Sequence, residues 1–528
     1  MKRVSETRRC RRWLSLGPRT MNQQVVEAKY AVRGALLDRA MEIERELPSG
    51  KWPFQEIIRC NIGNPQALGQ RPPRFSRQVL SLLMNPELLG ECPPGLFSEE
   101  AVARAEAYRA GSVGGLGAYT DSKGLEVVRQ EVAAFIEARD GYACDAEDVH
   151  LSDGASAAVK HTLALLLTGA TEDALMVPFP QYPLYTALVT LAKGTTVPYF
   201  PDESRDWDVT RRELEASYAK AVARGVTPRA FVCINPGNPT GASLRRESLE
   251  DVVKFCQDKQ IALLADEVYQ ANVYGGAPPF TSLRKVVKDL GIEDVPLFSY
   301  HSVSKGFTGE CGLRGGYVEL TNVREDFKDQ MVKLASLSLC SNVPGQVAVG
   351  LMVKPPSSET ESRRYQEERD AILASLVRRS TMLADALDAL PGVSCPRAQG
   401  ALYVFPSITL PPKAIDAARR EGLAPDAFYS MRLLETTGLV VVPGDGFGQK
   451  EGTFHFRSTF LPPEDQLKGV LSRLQAFHTD FIREFADAAA AEEGGSVVTS
   501  TTTPAVTQQR LSVVHNTDTT GRLTEVSA

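Results

Sequence analysis

Leu297-Phe-Ser-Tyr-His-Ser-Val-Ser-Lys305-Gly-Phe-Thr-Gly-Glu-Cys-Gly-Leu-Arg314-Gly-Gly-Tyr-Val-Glu-Leu320 holds two strand-like apolar runs, Leu297–Tyr300 and Gly316–Leu320, joined by a loop that carries the charge. A lysine at a strand end is ordinarily a solvated surface cation. Here Lys305 follows two hydroxyls, Ser302 and Ser304, and Arg314 stands nine residues further on. Two hydroxyls and a guanidinium are suited to bind and neutralise a phosphate beside the lysine.

Outward from this stretch the same alternation continues. Strand-like runs at Ala174–Val177, Ala230–Ile234 and Ile261–Ala265 alternate with helical patterns at Gly124–Arg139, Ala155–Leu167, Arg211–Arg224, Arg246–Lys259 and Arg324–Leu337. This predicts an α/β domain around a largely parallel sheet. A long helix, Glu361–Leu390, and shorter strands near Ala401–Phe405, Leu439–Val442 and Phe454–Phe460 predict a smaller α+β unit beyond Pro355-Pro356.

Ligands of open α/β sheets sit beyond the carboxyl ends of the strands, so the residues following each strand matter most. Gly154, Ala155 and Ser156 open an apolar helix whose free N–H groups suit a phosphate, although a serine there also serves as a plain helix cap. Tyr182, after Ala174–Val177, either covers a planar ring or packs its loop. Asn235-Pro-Gly-Asn238-Pro-Thr-Gly is a stiff turn that offers the Asn238 amide. Asp266-Glu-Val-Tyr269 ends a buried strand with a carboxylate, which is costly there unless it meets a cation.

Taken in order, phosphate helix, ring cover, amide, carboxylate, lysine and arginine form a set that resembles the fold-type I pyridoxal-phosphate (PLP) aminotransferases. Five further stretches look like the alanine aminotransferase branch: Cys60-Asn-Ile-Gly-Asn-Pro-Gln, Gly115-Leu-Gly-Ala-Tyr-Thr-Asp-Ser-Lys-Gly, Phe179-Pro-Gln-Tyr-Pro-Leu-Tyr, Gly309-Glu-Cys-Gly-Leu-Arg-Gly-Gly-Tyr and Leu339-Cys-Ser-Asn-Val-Pro-Gly-Gln. The likeness runs from about Tyr30 to about Asp480. The Lys305–Arg314 spacing is one residue longer than in the aspartate-type enzymes and fits the alanine type.

The resemblance implies a role for each position. Lys305 would bind the cofactor covalently and serve as general base, Asp266 would keep the pyridine nitrogen protonated, and Asn238 and Tyr269 would hydrogen-bond the phenolic oxygen. Tyr182 would stack on the ring. Ala155, Ser156, Ser302, Ser304 and Arg314 would hold the phosphate, with Tyr119 reaching the phosphate of a neighbouring subunit in a homodimer with shared sites. Arg457, on a run whose alternation puts it with His455 and away from the phenylalanines, would grip the substrate carboxylate, and Gly63 would approach it through its backbone. For Arg457 the other reading is a surface ion pair. A second arginine for the distal carboxylate of a five-carbon diacid has no motif; Arg71 and Arg74 lie in a suitable segment. The implied reaction is L-alanine plus 2-oxoglutarate to pyruvate plus L-glutamate, by a ping-pong route. Glutamate:glyoxylate transamination and a PLP lyase of the aminocyclopropane-carboxylate synthase type are the alternatives.

The expected division is a basic leader (1–20), an N-terminal segment contributing to the small domain (21–110), a large PLP-binding domain (111–356), a small C-terminal domain (357–486) and a Ser/Thr-rich disordered tail (487–528). The leader carries seven basic side chains and one acidic, and reads as a mitochondrial transit segment or as a basic tail ahead of Met21. The location is therefore mitochondrial or cytoplasmic. Of the 35 residues from Gly494 to Ala528, 13 are Ser or Thr and none is aromatic, too little to bury. The 528 residues carry a net charge of -6, which supplies no basic footprint for nucleic acid. That charge, with no helix-turn-helix pattern in residues 1–50, argues against a DNA-binding regulator built on the same fold. No apolar run is long enough to span a membrane, and the nine cysteines show no metal-ligand spacing, so no metal is expected.

Overall fold

The computed structural model describes residues 20–29, 34–91 and 93–486; the basic leader up to residue 19 and the tail from 487 lie outside the described residues. Seven strands form the central sheet: β1 (Val149–Asp153), β2 (Asp173–Pro178), β3 (Thr195–Tyr199), β4 (Thr227–Ile234), β5 (Ala262–Asp266), β6 (Leu297–Ser302) and β7 (Gly315–Thr321). Their order is β1-β7-β6-β5-β4-β2-β3. The pairs among β6, β5, β4, β2 and β3 are parallel, and β7 is antiparallel to both of its neighbours. The sheet is therefore mixed, as in an α/β/α fold.

Apolar side chains alternate between two buried faces, which is why these strands read as nearly unbroken hydrophobic runs. Leu175, Val177, Val232, Leu264 and Phe298 share one core with Val159 and Leu163 of helix α1 (Ala155–Leu166) and with Tyr185 and Val189 of α2 (Leu184–Leu191). Met176, Phe231, Leu263 and Leu297 turn the other way, toward Val252, Val253 and Phe255 of α3 (Arg246–Lys259). A third core joins Ile58 and Cys60 to residues far along the chain. These are Leu376 and Leu383 of α4 (Glu359–Asp388), Phe428 and Leu433 of α5 (Pro425–Thr437), and Leu474, Phe477 and Phe481 of α6 (Glu464–Phe485).

Three departures from the sequence reading have local causes. The strand-like run Leu439–Val442 divides at Val441: Leu439–Val440 pairs parallel with Ile58–Arg59, and β9 (Val442–Pro443) pairs antiparallel with β10 (Phe456–Thr459). Of Ala401–Phe405 only β8 (Tyr403–Val404) is strand, paired with Thr459 and Ser458. Strands β1 and β3 escaped the sequence reading, β1 because His150 and Ser152 break its apolar run and it leads straight into the helix start at Gly154, β3 because Pro198 interrupts its pattern. Proline is tolerated there because β3 lies at the sheet edge. Among the described residues no helix is long and apolar enough to cross a membrane.

Candidate active site

The parallel strands deliver their carboxyl ends to one edge of the sheet. β1 stops at Asp153 ahead of α1, β4 at Ile234 ahead of the Asn235–Gly241 turn, β5 at Asp266 and β6 at Ser302. Because β7 runs the other way, it begins at this edge, and Arg314, the residue before it, arrives beside the start of α1. One cavity of about 330 Å³ opens there. It is lined by Gly63, Ala155, Ser156, Tyr182, Asn238, Asp266, Tyr269, Ser302, Ser304, Lys305, Arg314 and Arg457. Tyr119 is not among the lining residues and is 76% exposed. Arg71 and Arg74 do not line it either.

The phosphate end is built from α1 and Arg314. Helix α1 starts directly after Gly154, whose φ of +71° turns the chain from strand into helix and leaves the first N–H groups unbonded within the helix. Arg314 also has a left-handed φ, +52°, a conformation a non-glycine residue adopts at a cost. In return its guanidinium donates to the Asp153 carbonyl (3.2 Å), the Ser156 hydroxyl (3.3 Å) and the Cys311 carbonyl (3.0 Å). A Cβ at Gly154 would lie 2.4 Å from Arg314 Nη2, so the close approach of helix and arginine requires glycine.

In the same cavity Asp266 is buried, and one of its oxygens, Oδ1, has no hydrogen-bond partner. The other, Oδ2, accepts from the Tyr185 hydroxyl at 2.8 Å. Burial pushes the Asp266 carboxyl up, against the Tyr185 hydrogen bond, the Val268 N–H and the Lys305 charge, which lower it. A buried carboxylate oxygen left free at the base of a cavity is suited to a ligand N–H bearing positive charge, and a pyridinium answers that description. Lys305 Nζ donates to the Gly63 carbonyl at 2.8 Å.

Arg457 is 2% exposed, and that burial overturns the surface ion-pair reading. Its guanidinium donates to Asn238 Oδ1 (2.9 Å) and to the Asn61 carbonyl (2.5 Å) and is sandwiched by the rings of Tyr403 (4.2 Å) and Phe447 (4.7 Å). Among the described residues no carboxylate pairs with it. A buried guanidinium in a cavity with dipoles and rings as its only partners is poised for an anionic ligand. Because Asn238 turns its carbonyl to Arg457, its amide N–H groups remain for a second acceptor.

Three neighbours had no assigned part in the sequence reading. Tyr185 sits on α2, in a run read as loop. Tyr403 and Cys311 line the cavity, Cys311 Sγ lying 3.0 Å from the Ser304 carbonyl. Nothing in the pattern around Tyr403 separates it from an ordinary core aromatic.

The sequence profile of aminotransferase class I and II matches residues 93–474. The probable mitochondrial alanine aminotransferase of Dictyostelium discoideum is 47% identical over 474 residues, covering 88% of this chain and 89% of that protein. Glutamate–glyoxylate aminotransferase 2 of Arabidopsis thaliana is 46% identical, covering 89% and 97%. Among solved structures, an alanine aminotransferase from Pyrococcus furiosus aligns with a TM-score of 0.69 at 25% identity, over 87% of this chain and 100% of that one.

Proposed function

The chain belongs to the aminotransferases of class I and II, PLP-dependent enzymes that act on amino acids and 2-oxo acids, and we propose that it transfers the amino group of L-alanine to 2-oxoglutarate, yielding pyruvate and L-glutamate. The observation that carries the reading is the juxtaposition of Lys305, the free oxygen of Asp266 and the buried, carboxylate-free Arg457 in one cavity.

When bound, PLP supplies an electron sink for the bonds at the substrate Cα. The rest is done by this chain. Ala155 and Ser156 at the start of α1, with Ser302, Ser304 and Arg314, would hold the phosphate; Asp266 Oδ1 would accept the ring N–H, with the Tyr185 hydroxyl fixing the other oxygen. Tyr182 would cover the ring, and Asn238 and Tyr269 would donate to its phenolic oxygen. Arg457, oriented by Asn238 and Asn61, would bind the substrate carboxylate alongside the Gly63 backbone. Lys305 would be the covalent anchor, and its Nζ, once free, the base that moves the Cα proton.

Borohydride reduction of the PLP-loaded protein should fix the cofactor to the peptide containing Lys305, and a Lys305→Ala protein should retain no label and no transaminase activity. Absence of label on the wild-type Lys305 peptide would sink the assignment. Relatives named glutamate–glyoxylate aminotransferase favour a second reading, in which glyoxylate is the acceptor. Initial rates with pyruvate, glyoxylate and 2-oxoglutarate as acceptors, across alanine, aspartate and glutamate donors, separate the two.

We further propose a large cofactor domain (111–356) and a small domain (357–486 with part of 21–110), the latter supported by the core that Ile58 and Cys60 share with α4, α5 and α6. The exposure of Tyr119 supports a homodimer in which it serves the opposite site. Relatives named as mitochondrial support a mitochondrial address in the leader; fusing residues 1–20 to a fluorescent protein tests it.

A further inference from the structure

Asn272 lies just past the turn that follows β5, three residues beyond Tyr269, and is 0% exposed. Its side chain serves both polar groups of one backbone residue. The Gly306 N–H donates to Asn272 Oδ1 at 2.8 Å, and Asn272 Nδ2 donates to the Gly306 carbonyl at 3.4 Å. Gly306 is itself buried and directly follows Lys305. The main chain of Asn272 is tied down as well. Its N–H donates to the Tyr269 carbonyl (2.7 Å), and its carbonyl accepts from the Ala401 N–H (3.0 Å). One residue therefore joins the turn that carries Tyr269, the loop that carries Lys305 and the chain that leads into β8.

Buried backbone N–H and C=O groups need partners, and among the described residues those of Gly306 find them in this one amide. Gly306 has a φ of +67°, a region glycine leaves and enters at little cost, so the backbone beside Lys305 depends on an outside restraint. The Lys305 carbonyl accepts from the Thr308 hydroxyl (2.9 Å) and the Gly309 N–H (3.3 Å), but both donors belong to the same loop and move with it. Gln70 Nε2 holds the Phe307 carbonyl at 2.7 Å, one residue further from the lysine.

We infer that Asn272 is a positioning residue for Lys305: by gripping both polar groups of Gly306 it fixes the backbone from which Nζ reaches the Cα proton of the substrate. The inference rests on the reading of Lys305 as the base. Reacting groups must be held within about 0.5 Å of productive geometry, and a misplacement of about 1 Å can cost roughly 100-fold in rate. Arg457, which binds the substrate carboxylate in the same reading, has no bond to Asn272, so substrate binding is spared.

The test compares wild type, Asn272→Ala and Asn272→Leu, each loaded with PLP, with rates counted per bound cofactor. Leucine refills the side-chain volume without either hydrogen bond, so it serves where the alanine variant fails to fold. The expected result is kcat for alanine lowered about 10- to 100-fold and KM for alanine changed by less than about 2-fold, the pattern of a loss confined to the transition state. Hydrogen exchange of the peptide containing Gly306, read by mass spectrometry on the PLP-loaded protein, should speed up about 10-fold while exchange in β5 and β6 stays as in wild type. Faster exchange at Gly306 with unchanged kcat overturns the inference, as does a rise in KM equal to the loss in kcat; either leaves Asn272 a structural residue only. Unchanged exchange at Gly306 overturns it too, since the grip is then absent. If the PLP-loaded wild type turns over no amino acid, the reading of Lys305 itself fails and takes the inference with it.

Discussion

Arg457 shows how much the surroundings of one residue can decide. A surface arginine with this sequence context would be ordinary, but a guanidinium at 2% exposure, held by one amide oxygen, one carbonyl and two rings, stays charged at a cost that a carboxylate ligand offsets. Arg457→Lys keeps the charge and loses the planar fork that can take a carboxylate by two hydrogen bonds. KM for alanine should therefore rise about 10- to 100-fold, the equivalent of one charge-assisted hydrogen bond. Steady-state kinetics check this.

At the scale of elements, the active site depends on how a strand, a helix and an antiparallel neighbour meet. Gly154 makes the strand-to-helix turn with a positive φ, and the space its missing side chain leaves is filled by Arg314. Gly154→Ala would strain the backbone and displace the guanidinium from the start of α1. The phosphate subsite would lose an arginine and part of its helix-start geometry, so PLP affinity should fall roughly 10- to 100-fold. Equilibrium dialysis of the loaded protein reads this directly. Alanine at Gly422 makes a control, since that glycine has a comparable φ of +70° with no atom near its Cβ and does not line the cavity; it should leave PLP affinity intact.

At the scale of the whole molecule, stability carries a histidine signature. His301 on β6 is buried, and burial, with Arg139 adding, lowers its pKa to about 3, against a backbone hydrogen bond to Glu267 that raises it. The folded state therefore keeps His301 neutral while the unfolded chain protonates it below about pH 6.5. The contribution of His301 is complete above that pH and is lost progressively as pH falls toward 3. Glu267 acts in the opposite sense, since burial raises its carboxyl to about 7 and the fold gains as pH falls through that range. The wild-type curve mixes these effects, but a His301→Gln variant isolates one of them. Between pH 7.5 and pH 5.5 it should lose about 1 kcal/mol less stability than the wild type, measured by denaturant unfolding at both pH values. The proposed homodimer makes a separate prediction. Lys305→Ala and Tyr119→Ala proteins, each impaired alone, should regain about one quarter of wild-type activity when unfolded and refolded together, because half the dimers then carry one intact site.

The local sequence alone determined a good deal of this protein. The alternation of apolar strands with amphipathic helices specified an α/β sheet, because strands buried on both faces must be apolar throughout. Asn238, Asp266 and Lys305 each lie at or just beyond the end of a strand, so their arrival at one edge follows from parallel strand direction. What the sequence could not show were relations between distant segments. The antiparallel sense of β7, which brings Arg314 to α1, depends on strand order. The burial of Arg457 depends on Asn61, Tyr403 and Phe447 converging from three separate stretches. The free oxygen of Asp266 and the Tyr403–Tyr269 hydrogen bond exist only once α2 and β8 have packed around the cavity. Local pattern encodes which face a side chain takes; which partner it meets there is decided by packing between segments hundreds of residues apart.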